Sequence, residues 1–168
     1  GQTHPVKDLK RCGIYSAIAR GMKAEGEKMK VSTKGRYALR LMADLAAHDT
    51  GEWVRLKEIS ERQAISVKYL EQIIPLLTRA KLVKSSRGNS GGYRLTRPPQ
   101  AYTAGEILRA TEGDLSPIAC LEDTPNQCPR SKICDTLHFW EGKKKVINEY
   151  DDGVTLEELD KLQPDSRE

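Results

Sequence analysis

Three thiols dominate the chemistry this chain offers. Cys120, Cys128 and Cys134 stand in a C-x7-C-x5-C pattern, with His138 four residues after the last. Thiolates are the ligands iron–sulfur clusters prefer, and mixed Cys and His ligation tunes their potential. The first two sulfurs fall in a stretch broken by Pro117, Pro125 and Pro129 with no helical period, so an irregular loop is expected there. A loop can fold its sulfurs around a cluster, whereas a regular element presents them along a line. Cys134 is expected near a helix start, where the thiolate is favoured. Spacing alone leaves four uses open: a cluster, a zinc ion, a thiol–disulfide switch, and unconnected free thiols. Structural zinc usually brings a tight C-x2-4-C pair, which is missing. The fourth cysteine, Cys12, lies far away, and four in 168 residues are too few for a disulfide scaffold. His4, His48 and His138 are scattered, and no Ser-His-Asp order, phosphate loop or carboxylate pair stands out. An enzyme is not expected.

A second set of residues suits a polyanion. Ser66, Val67, Lys68, Tyr69 and Gln72 open an amphipathic stretch, and Arg87, Asn89, Ser90, Gly91, Gly92, Tyr93 and Arg94 form a basic, Gly-rich turn. Upstream, STKGRY (Ser32, Thr33, Lys34, Arg36, Tyr37) is placed to anchor the edge of a duplex. Each set alone has an ordinary reading as solvated surface or hairpin. The charge balance weighs against that. Residues 29–101 carry 14 Lys and Arg against 6 Asp and Glu, a net of +8, and residues 102–168 carry 8 against 15, a net of −7. A basic part beside an acidic one suggests that only the former meets nucleic acid.

The elements that position these residues follow from periodicity. Tyr37, Ala38, Leu41, Met42 and Leu45 recur at three- and four-residue steps, predicting a helix over Thr33–Ala47 with Ser32 or Thr33 as N-cap. Trp53-Val54-Arg55 reads as a short extended link. A helix over 56–63 with Ile59 inward, a tight turn at Ala64-Ile65-Ser66, and a third helix through Leu70, Ile73, Ile74 and Leu77 should follow. Pro75 should kink that third helix or end its regular part. Leu82–Ser86 and Gly92–Thr96 are β-prone, and the glycines of RGNSG permit the positive φ angles of a hairpin tip. Thr103 and Glu106 make a capping-box pattern for a further helix. A long last helix is expected from near Cys134 through Trp140, Val146 and Tyr150, and VTLEEL suggests one more short helix. Two helices, a tight turn and a Gly-tipped hairpin are the order of a winged helix-turn-helix. Its second helix enters the major groove and its hairpin lies along the backbone.

These residues also resemble a known family. MKVSTKGRYALRLMADLA, ISERQAISVKYLEQIIPLLTRAKLV, RGNSGGYRL, TAGEIL and the trailing cysteines are similar to the IscR-like family of iron–sulfur cluster regulators, bacterial winged-helix repressors, over about residues 29–162. The resemblance implies a homodimer on a pseudo-palindromic double-stranded DNA operator, with a long C-terminal helix making the dimer contact. It puts Ser66, Lys68, Tyr69 and Gln72 on the recognition helix and Arg87–Tyr93 in the wing. It implies an iron–sulfur cluster, expected as 2Fe-2S, on Cys120, Cys128 and Cys134. Well-known members space their ligands C-x5-C-x5-C and C-x2-H. In this chain the first gap is longer and His138 is displaced by one, so the fourth ligand is open between His138, Asp135, Glu122 and a residue of the partner subunit.

The fold expected is mainly α with a small β-hairpin wing, a winged helix-turn-helix plus a long C-terminal dimerisation helix. Residues 1–28 read as a flexible leader or upstream sequence, 29–101 as the DNA-binding domain, 102–133 as a connecting helix and cysteine loop, and 134–168 as dimerisation helix and tail. No apolar run spans a membrane and no secretory signal is legible, so a cytoplasmic regulator is expected. Two other readings stand beside the cluster-responsive one. One is a metal-independent repressor controlled by a small molecule or partner enzyme. The other is an iron–sulfur carrier or interaction subunit with a winged-helix shape.

Overall fold

A computed structural model describes residues 31–161, so the leader expected at 1–28, Cys12 and the last seven residues lie outside it. The described chain divides into two compact units, one of residues 31–115 with 146–161, the other of residues 116–145.

The first unit begins with α1 (Thr33–Ala47), where the Ser32 hydroxyl accepts from the Gly35 N–H as N-cap. Ala38, Leu41, Met42 and Leu45 are buried along one face, as the three- and four-residue spacing requires. Next come α2 (Leu56–Gln63), with Ile59 fully buried, and α3 (Val67–Arg79), with Leu70, Ile73, Ile74 and Leu77 in the core. The turn between them uses Ala64 in the left-handed region at φ 50°, and Ser66 caps α3 by accepting from the Tyr69 N–H at 3.3 Å. Pro75 neither ends nor interrupts α3. An interior proline costs about 3 kcal/mol. The four buried side chains flanking it contribute about 1.5–3 kcal/mol each, so burial wins. Asp44 of α1, 2% exposed, accepts from Arg62 Nε at 3.0 Å and Nη2 at 2.7 Å, and from Gln63 Nε2 at 3.0 Å. That network joins α1 to the end of α2.

The wing pairs β1 (Val83–Ser86) antiparallel to β2 (Gly92–Leu95), Val83 opposite Leu95 and Ser86 opposite Gly92. Val54 adds a third, short extended piece: its N–H donates to the Tyr93 carbonyl at 3.0 Å and its carbonyl accepts from the Tyr93 N–H at 2.8 Å. The glycines divide their work differently from the expectation. Gly88 alone takes positive φ at the tip, at 100°. Gly91 and Gly92 serve close approach instead: a Cβ on Gly92 would meet the Val54 carbonyl oxygen at 2.5 Å, and one on Gly91 would overlap the Ser86 carbonyl.

Beyond the hairpin, α4 (Ala104–Glu112) packs on α1 and α3, with Ile107 and Leu108 inward. Thr103 caps α4 by accepting from the Glu106 N–H at 3.2 Å. The expected reciprocal arm is not made, because Arg97 engages the Glu106 carboxylate at 2.7 and 2.8 Å. Fully buried Tyr102 closes this end of the core: its hydroxyl donates to the Leu82 carbonyl at 3.0 Å and accepts from the Thr96 and Arg97 N–H groups, each at 2.8 Å. A last helix, α6 (Leu156–Lys161), inserts Leu156 into the same core. Its start carries a full capping box, the Thr155 N–H donating to Glu158 at 2.9 Å and Thr155 Oγ1 accepting from the Glu158 N–H at 3.3 Å.

The second unit is short and irregular, with single 3₁₀ turns at Ala119–Leu121 and Ser131–Ile133. The long helix α5 (Leu137–Gly153) starts in this unit and ends in the first. It begins three residues later than expected, because Cys134 takes extended backbone at φ −87°, ψ 111° after the second 3₁₀ turn.

Candidate nucleic-acid interface and cysteine segment

Helix α3 buries its apolar stripe, and that leaves Ser66, Lys68, Glu71 and Gln72 exposed on the opposite side. Val67 is half-buried. Tyr69 is half-buried too, against the core, and meets Tyr37 of α1 edge to face with ring centroids 5.3 Å apart. Arg40 covers the Tyr37 ring at 5.4 Å. The two tyrosines of the expected DNA set thus also brace α3 against α1.

At the start of α1, Thr33 and Arg36 are exposed, the Arg36 guanidinium donating to Thr33 Oγ1 at 3.2 Å, while Lys34 is half-buried. Ser32 is exposed and shares its hydroxyl between Gly35 and Glu112. At the wing tip Arg87, Asn89 and Ser90 are exposed, whereas Gly91, Gly92 and Tyr93 are half-buried in the wing's own packing. Arg55, read from sequence only as part of a link, and Arg94 also shape the wing. Arg55 donates to the Asn89 carbonyl, tying the tip to the start of α2, and its N–H donates to Glu58 at 2.8 Å. Arg94 stacks on Trp53, its guanidinium carbon 5.3 Å from the ring centroid. No sequence spacing pairs Arg55 with Asn89; only the return of the hairpin does.

Cys120, Cys128 and Cys134 are half-buried thiols; the first two lie in the irregular segment expected for them, and Cys134 lies just ahead of α5 rather than in it. Cys134 Sγ lies 3.6 Å from Thr136 Oγ1. Hydrogen bonds from Thr136, then from the Leu137 backbone, with Arg130 nearby, hold its thiol below the ordinary cysteine value. The donor set therefore suits an iron–sulfur cluster in kind: three accessible thiols, one biased towards thiolate. It does not yet suit one in arrangement. Among the described residues no three His, Cys, Asp or Glu side chains lie close enough together to hold a metal ion. His138 is 96% exposed, and its Nδ1 is 3.0 Å from Glu141 of the next turn.

Along α5, Phe139, Val146 and Tyr150 are each about two-thirds exposed (66%, 64% and 64%), as is Ile133 just before the helix at 67%. Steps of seven and four residues put the three helical ones on one face. Among the described residues no helix is long and apolar enough to cross a membrane.

A family model described as Rrf2, iron-dependent transcriptional regulator, matches residues 31–161. The HTH-type transcriptional regulator CymR of Bacillus subtilis is 41% identical over 131 residues, covering 78% of this chain and 89% of CymR. The solved structure of CymR, the global cysteine regulator of B. subtilis, superposes with a TM-score of 0.65 at 39% identity, covering 80% of this chain and 98% of that one. The structure of T. potens IscR superposes with a TM-score of 0.64 at 40% identity, covering 83% and 91%.

Proposed function

The chain belongs to the Rrf2 family of transcriptional regulators, DNA-binding proteins rather than enzymes, and we propose that it is a cytoplasmic homodimer that reads a pseudo-palindromic operator and answers to an iron–sulfur cluster. The observation that carries the DNA reading is α3, whose solvent face offers Ser66, Lys68 and Gln72 beside an exposed basic wing tip. In the major groove, Gln72 suits adenine and Lys68 suits guanine. Arg87, Asn89 and Ser90 of the wing, with Thr33, Lys34 and Arg36 of α1, meet phosphates and fix the register. The exposed apolar face of α5 supports the dimer, since Phe139, Val146 and Tyr150 have a second copy of themselves as the simplest cover.

Cys120, Cys128 and Cys134 are the thiols that would hold the cluster, here taken as 2Fe-2S, with His138 the weakest candidate for a fourth ligand. When bound, a cluster supplies one-electron chemistry. The chain's part is to gather three thiols from an irregular segment, so that occupancy orders residues 116–136. A metal-independent regulator controlled by a small molecule or partner enzyme, with the thiols as bystanders, is the second reading, and the donor arrangement among the described residues fits it.

The test is an anaerobic visible spectrum with iron and sulfide content, for the native chain and Cys128→Ala, followed by duplex DNA binding of both across a salt series. Visible bands with stoichiometric iron and sulfide, lost in Cys128→Ala, are expected. Affinity should fall steeply with salt. A native chain that stays colourless through reconstitution yet binds DNA would leave the second reading.

A further inference from the structure

Glu112, the last residue of α4, sets its carboxylate against the N-terminus of α1. One oxygen accepts from the Ser32 hydroxyl at 2.5 Å and the other from the Ser32 N–H at 3.4 Å. The same hydroxyl accepts from the Gly35 N–H, so the carboxylate closes a hydrogen-bonded chain onto the first turn. The first turn of α1 holds no acidic residue of its own. The anion that complements this helix end arrives from another helix.

Gly35 is what admits it. A Cβ at that position would stand 2.6 Å from Glu112 Oε1 and 2.8 Å from Val31 Cγ1. Glycine inside a helix costs up to about 1 kcal/mol relative to alanine. The approach of the carboxylate gives that cost a reason.

A helix end that takes a carboxylate takes a phosphate for the same physical reasons. Ser32 and its neighbours are the residues assigned above to the duplex backbone, so Glu112 holds donors that a DNA phosphate would use. We propose that Glu112 is an intrachain phosphate mimic, an autoinhibitory contact that the duplex displaces from Ser32 when it binds. The proposal rests on the DNA reading of α1 and adds a restraint upon it. Gly113 follows at φ 84°, and Cys120 comes eight residues after Glu112. The contact therefore stands where the chain leaves the DNA-reading unit for the cysteine segment.

The experiment titrates the full chain into a fluorescein-labelled duplex of mixed sequence and reads anisotropy at low and high KCl. Glu112→Gln keeps the shape and removes the charge. Gly35→Ala keeps Glu112 and pushes its carboxylate aside. Each variant should bind roughly fivefold tighter at low salt, the scale of a charge contact at a helix end. The gain should shrink as salt screens it. Unchanged or weaker binding by Glu112→Gln, with native circular dichroism, overturns the proposal; if Glu112→Gln does not fold, Gly35→Ala decides by the same criterion. Lys68→Ala separates the two levels. If it loses affinity, the DNA reading stands whatever Glu112 does; if it binds like the parent, that reading fails and the Glu112 contact falls with it.

Discussion

Tyr102 shows how one side chain can hold a junction. Its hydroxyl satisfies two backbone N–H groups, of Thr96 and Arg97, and one carbonyl, of Leu82, in a fully buried setting. Arg97 lies over the ring, 4.3 Å from its centroid, and pairs with Glu106. Tyr102→Phe keeps the ring but leaves the Arg97 N–H without its acceptor, while the Thr96 N–H and the Leu82 carbonyl keep each other at 3.3 Å. The donor left unsatisfied makes this a loss of about 2 kcal/mol. Thermal unfolding should drop by roughly 5–10 °C. A shift within a degree of the parent would mean that water replaces the hydroxyl. At the same scale, Cys134 owes its lowered thiol to Thr136, two residues on, a relation local enough to be sought in sequence.

Between elements, the angle at which α2 and α3 leave α1 decides what the recognition helix presents. Beside the apolar core, polar and aromatic contacts hold it: the Asp44 network to Arg62 and Gln63, the bonds of Arg40 to Gln63, and the edge-to-face pair of Tyr37 and Tyr69. Asp44→Ala removes the acceptor of a guanidinium that is itself one-third exposed, and losing charge-assisted hydrogen bonds of this kind costs about 1.5–3 kcal/mol. Urea unfolding should register that loss with an unchanged slope. An effect under about 0.5 kcal/mol, the size of a surface substitution, would show that Arg62 finds water just as readily. Helices α1 to α3 were legible because their apolar spacing is long and regular. The fate of Pro75 was not, because its cost and the burial opposing it are set by different parts of the molecule. Nor was the role of Gly92, since the extended Val54 it admits lies 38 residues upstream in sequence.

For the molecule as a whole, a basic part suited to DNA stands apart from an acidic remainder. The exposed apolar face of α5 is the counterpart of the first. Phe139→Glu should convert a species of two chains to one, read by light scattering after size exclusion, and weaken operator binding with it. A variant that keeps the parent's mass would place the dimer contact elsewhere. Val146 and Tyr150 on the same face would then be ordinary solvent-facing residues.

By itself the sequence determined the order of elements, their amphipathic faces, a cap at Ser32 or Thr33 and caps at Ser66 and Thr103, and a basic set of the kind that suits DNA. All of these depend on residues within a turn or two of one another, or on summed charge. The tertiary structure alone decided which distant groups meet: Tyr102 with the hairpin, Arg55 with Asn89, Glu112 with Ser32 across 80 residues. Among the described residues it brings no three His, Cys, Asp or Glu side chains close enough together to hold a metal ion. Contacts of that kind are selected by the packing of whole helices, which no local period encodes.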